Sequence, residues 1–412
     1  MTPPGPPGGR LGEDPRAEGG SGVLAVLLAG GRGRRLLDLT EREAKPALFM
    51  AGRRRLVDFA LQEVARAGLS RALVLTGWRP GTLERHLGEA WGGRAGGPVL
   101  EVRDGGAAGT AGALRRAAPA IDAAIDAGAP QVVVAISAGR AGAFDLPALL
   151  AAHRGGGAAA TVLALPADAP MAGDGPRLSL APDGRVLAMG EGEWVEGGAV
   201  ALDWPWARGR LAASGPDLAA GLLPLVLAEG ALRAAPQPEA VWRDAATPDA
   251  FHRAWVELAG GVPFPLPPEQ GPAEAPLGPT DLVVEAGGLT LTVPRFGARR
   301  AGRWTLLEDS AVMPGARVAP GARLSRALVA PGAIVPSGLA VGEDAAEDAR
   351  WFRLCPGPES EPPTVLVTAP MLARRAAERM RAHAVAAPTP LSHDDAPRPP
   401  RRAPGLASLD TE

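Results

Sequence analysis

The 412-residue chain contains no tyrosine, no asparagine and one lysine, Lys45. Asparagine, tyrosine and lysine have AT-rich codons, so their scarcity beside abundant alanine, glycine, arginine and proline points to a GC-biased coding sequence. Arginine is then the default cation and carries little information, whereas a retained lysine carries more. One cysteine, Cys355, excludes an intramolecular disulfide and suits a reducing compartment. No apolar run is long enough to span a bilayer. The net charge of −2 provides no long-range field towards nucleic acid or an anionic membrane. The five histidines lack zinc-ligand spacing and no nucleophile-elbow motif occurs. The opening segment, MTPPGPPGGRLGEDPRAEGG, has no signal-peptide pattern. A soluble, cytoplasmic protein with no nucleic-acid or membrane partner is expected.

What is present has a two-part organisation. Residues 1–21 read as a disordered arm and residues 386–412 as a disordered tail. Short apolar runs at 23–30, 72–77, 131–137 and 160–165 fit buried strands. Helical periodicity at 56–68 and 82–91, and a helix through LPALLAAHR, alternate with them. Strands alternating with helices imply a doubly wound, Rossmann-like α/β domain over 22–258, with ligands at the carboxyl ends of its strands. The proline density of GVPFPLPPEQGPAEAPLGP places a linker at 259–303. Beyond it Val312, Val318 and Leu324 are six apart, as are Val329, Val335 and Val341. That period, with small and turn-forming residues between, predicts a parallel β-helix of hexapeptides over 304–385, closed by a terminal helix.

The first strand runs into LAGGRGRRL and then, ten residues after Arg35, Lys45. Glycines let backbone N–H groups approach phosphate oxygens, and arginine and lysine neutralise them. The spacing is neither a Walker loop nor a GxGxxG dinucleotide turn. LAGGRGRRL, followed by LT and AKPA, resembles the sugar-nucleotidyltransferase signature. Together with LTEREAKPALFMAGRRRLVDFALQEVARAGL, VWRDAATPDAFHRAWVEL and VPSGLAVGEDAAEDARWF, it resembles the bacterial ADP-glucose pyrophosphorylases, or glucose-1-phosphate adenylyltransferases.

The resemblance implies a Rossmann-like catalytic domain followed by a C-terminal left-handed parallel β-helix. It implies formation of ADP-glucose and pyrophosphate from ATP and glucose 1-phosphate, with Mg2+, for glycogen synthesis. It also implies a homotetramer, or a heterotetramer with an active paralogue. By the same resemblance Gly30, Gly31, Arg32, Gly33, Gly109 and Thr110 would bind the nucleotide. Arg35, Lys45 and Asp244 would be catalytic, Asp244 would hold the metal, and Glu191 would meet the sugar phosphate. Arg42 falls where the family often places a cation for an anionic effector.

The chain also departs from the family pattern. One of the two metal-binding aspartates falls at Gly139, followed by Arg140. The lysine of the family's Glu-Lys-Pro falls at Gly192, and a glutamine after the second strand falls at Gly77. Asp145 matches a different aspartate. Losing one preorganised electrostatic group typically lowers a rate ~10²–10³-fold. Three readings follow: a catalytically impaired member acting as a regulatory subunit, an active pyrophosphorylase, or a nucleotidyltransferase for another sugar phosphate.

Overall fold

The computed structural model describes residues 22–125, 131–269, 281–286, 289–294 and 304–386. The arm expected at 1–21 and all but the first residue of the tail expected at 386–412 lie outside the described residues.

The strand Val23–Leu28 lies at the centre of a nine-stranded sheet, parallel to Arg71–Thr76 on one side and Val132–Ser137 on the other. Its unbroken apolar run has a simple cause. Val23, Ala25 and Leu27 enter one core, shared with the helix Leu56–Arg66, while Leu24 and Val26 enter a second, shared with the helix Gly109–Ala124. A strand covered on both faces has no polar side to display. Past Val132–Ser137 the sheet becomes mixed. The long strand Trp194–Asp203 runs antiparallel to it and to Ala160–Pro166. A small two-stranded ribbon stands beside the sheet and pairs Arg140–Ala143 with Val241–Asp244 in antiparallel register, Arg140 opposite Asp244.

The C-terminal domain is a three-sided parallel coil of the left-handed β-helix type. Ala311–Val312 pairs with Ala327–Val329, Arg317–Val318 with Ile334–Val335, and Arg323–Ser325 with Ala340–Val341. Leu324, Val329, Val335 and Val341 are buried along its axis with Leu307, Val312 and Leu339. Each corner turns through a left-handed residue repeated in the next coil: Gly315 with Gly332, Gly321 with Gly338, and Asp309 with Arg326. The segment expected to be linker contains two strands, Asp281–Ala286 and Leu289–Pro294, which form a hairpin paired to Trp304–Glu308.

The two domains share apolar core: Ala311, Met313, Leu328 and Leu366 pack in the cluster that holds Phe251 and Trp255 of the helix Pro248–Gly260. Polar contacts cross the same seam. Thr364 Oγ1 donates to Asp249 Oδ1 at 2.8 Å, and His252 Nε2 donates to the Asp309 carbonyl at 2.7 Å. At the outer rim Arg353 Nε donates to Asp38 Oδ2 at 2.9 Å.

Candidate nucleotide site

The loops leaving the carboxyl ends of the parallel strands meet around a cavity of about 740 Å³. Gly30, Gly31, Arg32, Gly33, Lys45 and Thr110 line it, with Gly109 and Gly139 beside them. Gly33 has φ +62°, and a β-carbon there would lie 3.1 Å from Lys45 Cβ. Only glycine takes this turn without strain, and its bareness lets the loop fold down over the lysine. Arg32 reaches across the cavity rim and stacks on Trp78, its Cζ 4.1 Å from the ring centroid. Gly109 and Thr110 open the helix Gly109–Ala124. Thr110 Oγ1 donates to Asp217 Oδ2 at 3.0 Å and accepts from Leu218 N at 2.7 Å, so the hydroxyl is tied to the neighbouring turn.

Lys45 points to the centre of the site and donates to Asp244 Oδ1 at 3.1 Å, with both side chains about 15% exposed. A β-carbon on Gly139 would lie 2.8 Å from Lys45 Cε and 3.0 Å from Nζ. The flexible end of the lysine lies in the space left beside Gly139, an approach that the missing side chain allows. Burial lowers the pKa of Lys45, with Arg140 and Arg35 acting in the same direction against Asp244. Burial alone would raise the Asp244 carboxyl; Lys45 and Arg140 outweigh it and hold the group below the ordinary aspartate value.

The other two departures are closed by backbone. A β-carbon at Gly77 would lie 2.7 Å from the Gly30 carbonyl oxygen. At Gly192 it would collide with the backbone of Leu178. Two strand-end loops have closed together, and no side chain fits in either place without moving backbone.

A second cavity of about 260 Å³ adjoins the first, with Ser137, Thr110 and Asp217 common to both. It is lined by Arg35, Arg140, Asp174, Glu196 and Asp244. Arg35 is ion-paired with Asp174 across its mouth. Burial raises the pKa of Glu196 even though Arg140 pulls it down. Neither Glu196 nor Asp217 was marked by the sequence. Glu196 interrupts an apolar strand, and Asp217 reads as a cap before LAAGLL, accepting from Ala219 N at 2.9 Å. Glu191, expected at the sugar phosphate, is exposed and lines neither cavity; its carbonyl accepts from Ser179 Oγ at 3.2 Å. Asp145 caps the helix Leu146–Gly156 and stands outside both cavities.

These residues do not fit magnesium. The ion prefers octahedral oxygen donors, commonly carboxylates with water and phosphate. Here Asp244 is held by Lys45, Gly139 supplies no carboxylate, and Arg140 stands alongside. Among the described residues no group of three or more His, Cys, Asp or Glu side chains is arranged to hold a metal.

Comparison with known proteins agrees with the architecture. Residues 24–172 match the nucleotidyl transferase family, and residues 291–358 match the GlmU-like C-terminal hexapeptide family, whose match begins inside the hairpin expected to be linker. The chain is 26% identical to the glucose-1-phosphate adenylyltransferase of Bradyrhizobium diazoefficiens, over 85% of this chain and 96% of that one. It is 28% identical to glucose-1-phosphate adenylyltransferase 2 of Alkalilimnicola ehrlichii, over 85% and 94%. The enzyme of that name from Shewanella baltica is also 28% identical, over 85% and 95%. With both domains matched in order and the relatives aligned across nearly their full length, the chain combines a nucleotidyl transferase domain with a GlmU-like hexapeptide domain and is similar from end to end to glucose-1-phosphate adenylyltransferases.

Proposed function

We propose that this protein is a catalytically impaired glucose-1-phosphate adenylyltransferase-like subunit. It binds a nucleoside triphosphate at the glycine loop but transfers adenylyl groups poorly or not at all. It works in the cytoplasm in glycogen synthesis, assembled as a tetramer with an active paralogue. The observation that carries the reading is the position of Lys45, whose stem fills the space beside Gly139 and whose ammonium binds Asp244.

Nucleotidyl transfer is mostly positioning and charge neutralisation. The sugar-phosphate oxygen must attack the α-phosphorus in line while pyrophosphate leaves, and charge builds on the equatorial oxygens. In this chain the groups available to those oxygens are Lys45, Arg35 and the backbone N–H groups of residues 30–33. Lys45 is paired with Asp244 and Arg35 with Asp174, so each cation divides its charge between its own carboxylate and a bound phosphate. The family's sugar-phosphate lysine has no counterpart, since Lys45 is the only lysine. Two missing electrostatic groups lower the expected rate by at least ~10³-fold against active relatives.

The test is pyrophosphate release from ATP, Mg2+ and glucose 1-phosphate by the purified full chain. Turnover within tenfold of an active relative, roughly 1.4 kcal/mol in barrier, would overturn impairment. Adding an active family subunit tests partnership: a shift in that subunit's saturation curve, with no change in the blank, is the expected result.

A further inference from the structure

Arg140 lines the smaller cavity that adjoins the glycine-loop cavity. It is only 5% exposed although it carries a full charge. Two glycines make room for its guanidinium. A β-carbon at Gly173 would lie 2.6 Å from Arg140 Nη2, and one at Gly198 would lie 2.6 Å from Nε. Both glycines have left-handed φ, +103° and +77°, which ordinary side chains avoid. Arg140 Nη1 donates to the Ala172 carbonyl at 2.8 Å. The ribbon register sets Arg140 opposite Asp244, and Glu196 lines the same cavity. A buried guanidinium with carboxylates in its cavity and backbone cleared around it is a fixed cation with its counter-ions supplied. Lys45 adds a second positive charge 3.1 Å from the same aspartate.

We propose that Arg140 and Lys45 replace the divalent cation, so that this site takes its nucleoside polyphosphate in the metal-free form. The inference rests on the nucleotide reading of the glycine-loop cavity. Free ATP offers its full phosphate charge to the two side chains and to Arg35. Magnesium-bound ATP offers less charge and brings a cation towards a site already occupied by cations. The site thus selects against the form of nucleotide that a catalytic relative requires.

ATP binding to the full chain is measured by titration calorimetry, once with EDTA and once with excess magnesium. The expected result is measurable binding in EDTA, weakened roughly 5-fold or more by magnesium, the lower end of ordinary coupling between ligands. Binding that needs magnesium overturns this proposal and leaves the nucleotide reading standing. Absence of ATP binding in both buffers overturns the two together. Arg140→Gln is expected to weaken metal-free binding by about tenfold and to abolish the penalty from magnesium; retention of both would count against the role of Arg140. Should that variant fail to fold, electron paramagnetic resonance of Mn2+ with the unaltered protein still decides. Manganese retained by the protein without nucleotide overturns the proposal, and an unchanged free-ion spectrum supports it.

Discussion

Lys45 and Asp244 form a partly buried pair, and removing one partner strands the other. Lys45→Ala should destabilise the protein by roughly 2 kcal/mol, because a desolvated carboxylate then loses its hydrogen-bonded cation and keeps only the longer-range pull of Arg140 and Arg35. Adding Asp244→Ala should recover part of that loss, a non-additivity that urea denaturation of both variants measures. A second residue tests the folded core by pH. Burial raises Glu63 on the helix Leu56–Arg66 from 4.5 to about 7, against Arg66. Below pH 4.5 folded and unfolded chains both carry the proton. As pH rises towards 7 the unfolded chain ionises first, so stability falls by on the order of 3 kcal/mol. Glu63→Gln should therefore gain on the unaltered protein between pH 5 and pH 8 in chemical denaturation. Lys45 was conspicuous in the sequence as the one lysine beside a glycine loop. Its filling of the space at Gly139 was not, since nothing periodic links residues so far apart; only the fold joins them.

At the scale of elements, Thr110 is the strap between the start of the helix Gly109–Ala124 and the turn at Asp217. Thr110→Val keeps the shape and deletes both hydrogen bonds made by the hydroxyl. The expected loss is about 1–2 kcal/mol in denaturant midpoint analysis, with Leu218 N left without the hydroxyl and the N–H groups of Ala219 and Ala220 still capped by Asp217. The central strands were legible because each is apolar on both faces. The helix Gly109–Ala124 was not, because GTAGALRRAAPAIDAA carries glycine, alanine and an internal Pro119 where a clear apolar stripe would announce a helix. Tertiary packing of Ala111, Leu114, Ala118 and Ile121 on the sheet decides it. The hairpin within 281–294 was masked by the proline-rich stretch before it. The hexapeptide faces were legible because one buried aliphatic per side is the whole rule of that architecture.

At the scale of the whole molecule, the seam between the domains contains a titratable switch of stability. His252 is fully buried between the Asp309 carbonyl and Thr364, with Asp249, Asp309 and Arg326 as its charged neighbours. Burial lowers its pKa below the ordinary 6.5. As pH falls through 6.5 the unfolded chain takes a proton that the folded chain resists, so stability drops on the acid side. His252→Gln should flatten that acid limb of a thermal-unfolding profile between pH 7 and pH 5.5, while leaving the alkaline limb in place. The two-domain plan itself was legible from composition; the shared core and the polar seam were not, because they depend on how the domains dock.

Equivalent corners of the C-terminal coil recur at Gly315 and Gly332, Gly321 and Gly338, Asp309 and Arg326. Two corners turn on glycine, and the third turns on side chains that clasp each other, Arg326 Nη1 to Asp309 Oδ2 at 3.2 Å. The domain is consequently a counting device, like a screw with a fixed number of threads. A residue added or deleted along a side would rotate every later valine off the axis, so an altered length has to be absorbed at a corner or outside the wound part of the chain.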